Sequence, residues 1–138
     1  MTKELPEGYK PSPSEEFMNE QQKMYFHQKL LDWKDEILRE SKETLHHLQE
    51  DSQKEPDIAD RASSETDWSI ELRTRDRQRK LITKIEAAIE RIKDGEYGFC
   101  EVTGEPINLE RLDARPIATM TLEAQEEHEQ YEKVHRDS

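Results

Sequence analysis

Two long stretches without glycine or proline, Ser14 to Glu55 and Asp57 to Asp94, lie on either side of Pro56. Both carry apolar residues at helical spacing, and together they make up more than half of the chain. Pro56 has no backbone N–H and disfavours the helical region at Glu55, so a first helix should end there or slightly before. Asp57 or Asp60 is then placed to cap a second helix, with a carboxylate at its positive end. The expectation is two antiparallel helices joined by an acidic turn at 56–62.

The two flanks support each other. In an antiparallel hairpin, facing residues have numbers that add to a nearly constant value. Leu48 with Trp68, Leu45 with Leu72, Leu31 with Ile85 and Met24 with Ile92 each add to 116 or 117. The first flank also repeats every seven residues at Phe17, Met24, Leu31, Leu38 and Leu45, and a second stripe, Phe26, Leu30, Trp33 and Ile37, widens that face. These are the marks of a coiled coil. Only 31% of residues are hydrophobic and 39% are charged, too few apolar groups for a thick globular core but enough for a two-helix seam.

The fold class that follows is all-α: a long antiparallel coiled-coil hairpin, a small globular head and a C-terminal helix. Residues 1–18 read as an N-terminal arm that packs on the head or is partly disordered. Residues 19–94 form the hairpin with its tip at 56–62, 95–120 a knuckle, and 121–138 the last helix. Ser12-Pro13-Ser14-Glu15 has the pattern of a helix start. The apolar stripe of the last helix is Met120, Ala124, Tyr131 and Val134. A net charge of −12 argues against a duplex-DNA binder that works by neutralising phosphates. The absence of a membrane-length apolar run and of a signal-peptide pattern points to a cytoplasmic protein, and a monomer is expected.

Within the second flank, residues 73–80 are entirely polar and include Arg73, Arg75, Arg77, Arg79 and Lys80. By the register above they lie across from Glu36, Glu40 and Glu43. They are either solvated cross-helix partners or a basic patch for an acidic partner or a nucleotide phosphate.

The knuckle has the outline of a zinc finger that has lost its donors. Cys100 and Thr103, then Thr121 and Ala124, fall at the spacing C-x₂-C-x₁₇-C-x₂-C, with one cysteine remaining. Structural zinc takes four nitrogen or sulfur ligands, and these four vestigial positions cannot supply them, so no metal and no cofactor is expected. His128 and His135 read as surface histidines. Without a metal, Tyr97, Phe99, Val102, Ile107, Leu109, Leu112 and Ile117 must pack on the flanking helices.

Four stretches carry a resemblance: Asp57-Ile58-Ala59-Asp60-Arg61-Ala62 at the tip, Glu71 to Leu81 (ELRTRDRQRKL), Tyr97-Gly98-Phe99-Cys100, and Arg111-Leu112-Asp113-Ala114-Arg115-Pro116. On these the chain resembles the DksA/TraR family, from about Glu16 to the C-terminal helix, as a low-cysteine variant. The resemblance implies a bacterial transcription regulator that binds RNA polymerase without sequence-specific DNA contact. It implies that the hairpin enters the secondary channel of the polymerase. Open promoter complexes are then destabilised together with guanosine tetraphosphate (ppGpp), the alarmone of the stringent response. By position it assigns the tip role to Asp57, Asp60 and Ala62, and contact with ppGpp and the polymerase to Leu81, Lys84, Arg115 and Gln125. Gln125 stands where the family usually has a lysine.

Two other functions share the architecture. One is a structural hairpin or chaperone scaffold that grips other proteins. The other is a transcript-cleavage factor, which also carries acidic residues on a coiled-coil tip. No nucleophile–base pair or cleft-forming core suggests an enzyme in its own right.

Overall fold

Asn19 begins the first long helix: its side-chain oxygen accepts the Gln22 N–H at 2.8 Å, and α1 runs over Glu20–Gln53. Three further helices follow, α2 (Ile58–Asp94), α3 (Leu109–Ala114) and α4 (Leu122–Arg136). The structure is a computed structural model and describes residues 5–53 and 58–136. The chain divides into two compact units, Met1–Leu30 with Ala87–Ser138 (the head) and Leu31–Glu86 (the hairpin). Among the described residues there are no strands, only an isolated antiparallel bridge between Phe99 and Pro106.

In the hairpin unit, α1 and α2 pair antiparallel. Ile37 and Ile85 are buried, Lys34 pairs with Glu86 at 3.2 Å, and the Ser41 hydroxyl donates to Gln78 Oε1 at 2.7 Å. The Gln78 amide in turn reaches Glu40 at 3.5 Å. These pairs add to 120, 119 and 118, so the register is shifted by two to four residues from the one read in the sequence. The reason is which stripe of α1 forms the seam. The line Leu31, Leu38, Leu45 offers one side chain every two turns, whereas Phe26, Leu30, Trp33, Ile37 alternates steps of four and three and offers two. The second line is the more deeply buried, while Leu38 and Leu45 are 42% and 39% exposed. The matching line on α2 is Ile85, Ile82, Gln78, Arg75 and Glu71, all buried or half-buried, so the seam turns from apolar to polar along its length.

The head has its own core: Phe26 and Leu30 from α1, Ala88 from α2, Tyr97, Cys100, Ile107, Leu112 and Ala118 from the knuckle, and Ala124 from α4. Residues 5–18 contribute to it. Ser12 and Glu15 do form a reciprocal pair, with the Ser12 N–H donating to Glu15 Oε1 at 3.0 Å, but they close an isolated turn. Met18 interrupts it with φ +55, and α1 begins two residues later. The fully buried Gln22 holds that break: its Oε1 accepts the Met18 N–H at 2.7 Å and its amide donates to the Ser12 carbonyl at 3.4 Å. Phe17 meets Phe99 edge-on at 5.3 Å.

The knuckle folds back on itself through Cys100 N–H to the Glu105 carbonyl (2.8 Å) and Ile107 N–H to the Gly98 carbonyl (2.7 Å). Its halves are tied by Glu101 N–H to the Thr119 carbonyl at 2.9 Å, and by the Tyr97 hydroxyl to the Pro116 carbonyl at 2.7 Å. Asn108 caps α3, accepting from the Glu110 N–H at 2.8 Å. Two apolar expectations fail. Val102 is 65% exposed at the turn, and Tyr131 and Val134 are 61% and 65% exposed, because α4 buries its first-turn Ala124 and little beyond it.

Candidate functional site

The candidate residues fall on three parts of the chain. At the tip, Asp57 lies outside the described residues. Asp60 and Ala62 belong to the first turns of α2, with side chains that are also outside them.

Farther along α2, Arg73, Arg77, Arg79 and Lys80 are exposed, as is Lys84, while Leu81 is half-buried. Arg75 is the exception and is half-buried. The steps from Arg73 to Arg77, Lys80 and Lys84 are four, three and four, which puts these cations on one helix face. Lys80 pairs with Asp76 of its own helix at 3.4 Å. Among the described residues no arginine of this group forms an ion pair, so of the two readings of this stretch the cross-helix pairing with Glu36, Glu40 and Glu43 is not found; Glu40 is met by Gln78. The stripe is therefore a cationic patch in a chain of strong negative charge, with Lys80 alone paired, and suits carboxylates or phosphates.

Arg115 and Gln125 belong to the head unit, and Leu81 and Lys84 to the hairpin unit. Arg115 ends α3, its N–H donating to the Arg111 carbonyl at 2.8 Å, and its side chain is exposed. Gln125 is engaged from both ends: its Oε1 accepts from Arg111 at 2.7 Å and its amide donates to Glu129 at 3.2 Å. Arg111 also reaches the Met120 carbonyl at 3.1 Å, so it ties α3 to α4. On the other side of α3, Asp113 Oδ1 accepts from the Tyr25 hydroxyl at 2.5 Å and from Lys29 at 2.6 Å. Those bonds hold the Asp113 carboxyl below its usual range. Burial, and then the bond to Asp113, push the Tyr25 hydroxyl up to about 12. Sequence reasoning missed Arg111 and Asp113 as linchpins. The partners of Asp113 are 84 and 88 residues away, and no local pattern announces them.

Of the other vestigial positions, Thr103 and Thr121 reach the Cys100 sulfur. The Thr121 hydroxyl lies 4.0 Å from Cys100 Sγ and also accepts the Ala124 N–H at 3.2 Å, capping α4. Burial pushes the Cys100 thiol up. The Thr103 hydroxyl and the backbone N–H groups of Thr103, Thr121 and Val102 outweigh it and bring it down to about 6. Hydrogen-bond donors thus converge on the sulfur where a finger would place a cation. His128 instead pairs with Glu132 at 3.1 Å, and His135 sits on the Tyr131 carbonyl at 2.9 Å.

Residues 22–92 match the family described as DnaK suppressor protein DksA, N-terminal domain, and residues 95–130 match the prokaryotic dksA/traR C4-type zinc finger. The RNA polymerase-binding transcription factor DksA of Caulobacter vibrioides is 65% identical over 129 residues, covering 94% of this chain and 91% of the relative. The protein of the same name in Escherichia coli K12 is 41% identical over 117 residues, covering 85% and 78%. The solved structure of transcription factor DksA2 from Pseudomonas aeruginosa superposes with a TM-score of 0.79 at 38% identity, covering 85% of this chain and 90% of that one. A C4-type finger implies zinc, but the residues at its four positions do not fit it. Cys100 is the one sulfur, Thr103 and Thr121 are hydroxyls engaged in hydrogen bonds, and Ala124 has no donor atom. Matched by both family halves over residues 22–92 and 95–130, with the four zinc positions reduced to one cysteine, the chain belongs to the DksA/TraR family.

Proposed function

We propose that this chain is a cytoplasmic, monomeric regulator that binds RNA polymerase, inserts its hairpin into the secondary channel and shortens the life of open promoter complexes, acting with ppGpp. The observation that carries the reading is the 65% identity over 94% of the chain to a factor named for binding RNA polymerase. The chemistry of the molecule is compatible with each step. The tip residues Asp57, Asp60 and Ala62 are the part assigned to the polymerase active-site region. The cations Arg73, Arg77, Arg79 and Lys80 offer a contact surface for acidic protein. Leu81, Lys84, Arg115 and Gln125 are the positions assigned to ppGpp, of which Lys84 and Arg115 supply charge for phosphate. With Gln125 in place of a lysine and already bonded to Arg111, the alarmone is read by one cation fewer. No helix among the described residues is long and apolar enough to cross a membrane. The chain acts by contact and performs no chemistry of its own.

The test is an open-complex lifetime assay at a ribosomal RNA promoter, with binding to polymerase measured alongside. Asp57→Asn with Asp60→Asn keeps side-chain capping capacity and removes both charges. This double variant is expected to bind polymerase with less than a tenfold loss, under about 1.4 kcal/mol, and to leave open-complex lifetime unshortened. Equal lifetimes with wild type and double variant, each at saturation, would refute the tip mechanism. Release of short RNA from backtracked complexes would point to a cleavage factor instead.

A further inference from the structure

A six-residue helix cannot fix its own orientation, because so few backbone hydrogen bonds hold it. In α3 the work falls on three consecutive side chains that leave the helix in three directions. Leu112 is fully buried in the head core, Arg111 reaches the Met120 carbonyl and Gln125, and Asp113 takes both Tyr25 and Lys29 of α1 on one carboxylate oxygen. Arg115 closes the helix one turn after Arg111, with its side chain exposed and without a hydrogen bond or ion pair among the described residues. The roll of α3 about its axis therefore decides where that guanidinium points.

We infer that Asp113, clamped by Tyr25 and Lys29, is a positioning residue that sets the roll of α3 and so aims Arg115 at a phosphate of the bound alarmone. The inference rests on the reading of Arg115 under Proposed function. The character of the clamp favours aim over bulk stability. Side-chain exposures of 35% for Lys29 and 39% for Asp113 leave the ion pair in reach of water, where such pairs add little to folding. Its bonds of 2.5 and 2.6 Å are nevertheless short and charge-assisted, and two donors from one helix converging on one atom leave that atom little freedom. Leu112 alone already anchors α3 to the core. What Asp113 adds is direction.

The experiment titrates ppGpp in the open-complex lifetime assay with the full chain and polymerase, and compares the alarmone-free effect with the half-maximal ppGpp concentration. Asp113→Asn and Tyr25→Phe are expected to raise that concentration at least fivefold, while the alarmone-free effect at saturating protein stays within twofold of wild type. Lys29→Arg, which keeps the cation, should remain within twofold on both measures. Arg115→Ala serves as the reference and should lose the alarmone response. An unchanged half-maximal concentration in both clamp variants, beside a defective Arg115→Ala, overturns the positioning role. A parallel loss of both activities in Tyr25→Phe overturns it too, since general support of the head would produce that. Should Asp113→Asn fail to fold, Tyr25→Phe decides by itself. A full alarmone response in Arg115→Ala refutes the underlying reading of that residue, and the inference with it.

Discussion

At the scale of single residues, Gly98 shows how tightly the head is closed. Its φ of +89 is a conformation that side chains rarely adopt, and a Cβ there would stand 3.0 Å from Met18 Cε, 3.1 Å from Met18 Cγ and 3.2 Å from Phe17 Cζ. Met18 is itself left-handed and pinned through Gln22, so the N-terminal arm has little room to retreat. Gly98→Ala combines backbone strain with overpacking and is expected to destabilise the protein by about 1–3 kcal/mol. A lower urea midpoint at unchanged slope is the measurement. Cys100 belongs to the same scale: its environment is made of hydrogen-bond donors, and the packing around it is that of a small buried side chain.

Between elements, the choice of seam has energetic consequences. Ile85 is completely buried on the working stripe, whereas Leu45, on the strict seven-residue repeat, is 39% exposed. Ile85→Ala should cost about 2–5 kcal/mol, and Leu45→Ala under about 1 kcal/mol; urea denaturation of the two variants separates them. If the seven-residue repeat were the seam, Leu45→Ala would cost about as much as Ile85→Ala. The hairpin itself was legible in the sequence because breaker-free flanks around Pro56 admit few other folds. Its register was not, because Leu31, Leu38 and Leu45 and the line through Phe26, Leu30, Trp33 and Ile37 are both helical patterns. Only three-dimensional packing ranks them. The short helix α3 was missed for a similar reason: six residues started by Asn108 leave no periodicity to read. The assigned site residues could be placed from motif positions, yet Asp113 depends on α1 partners that no spacing reveals.

For the molecule as a whole, stability has to come without a metal. With a single sulfur at the four finger positions, no zinc-binding energy is available to folding. Purified protein is expected to contain no stoichiometric zinc, and its melting temperature to be unchanged by chelator; one tightly held equivalent would contradict this. Apolar burial, the Glu101–Thr119 tie and the Tyr97–Pro116 tie must then close the head. That head is assembled from two segments, residues up to Leu30 and residues from Ala87 onward, with Leu31–Glu86 intervening. A ribosome makes the first segment early and the knuckle late. At about 5–20 residues per second, Phe26 and Leu30 wait on the order of 5–20 s for Ile107, Leu112 and Ala124 to appear. The hairpin arms can pair in that interval, but the head cannot. A chain released before α4 therefore has paired hairpin arms and an unfinished head core, with Phe26 and Leu30 still presented to chaperones and proteases.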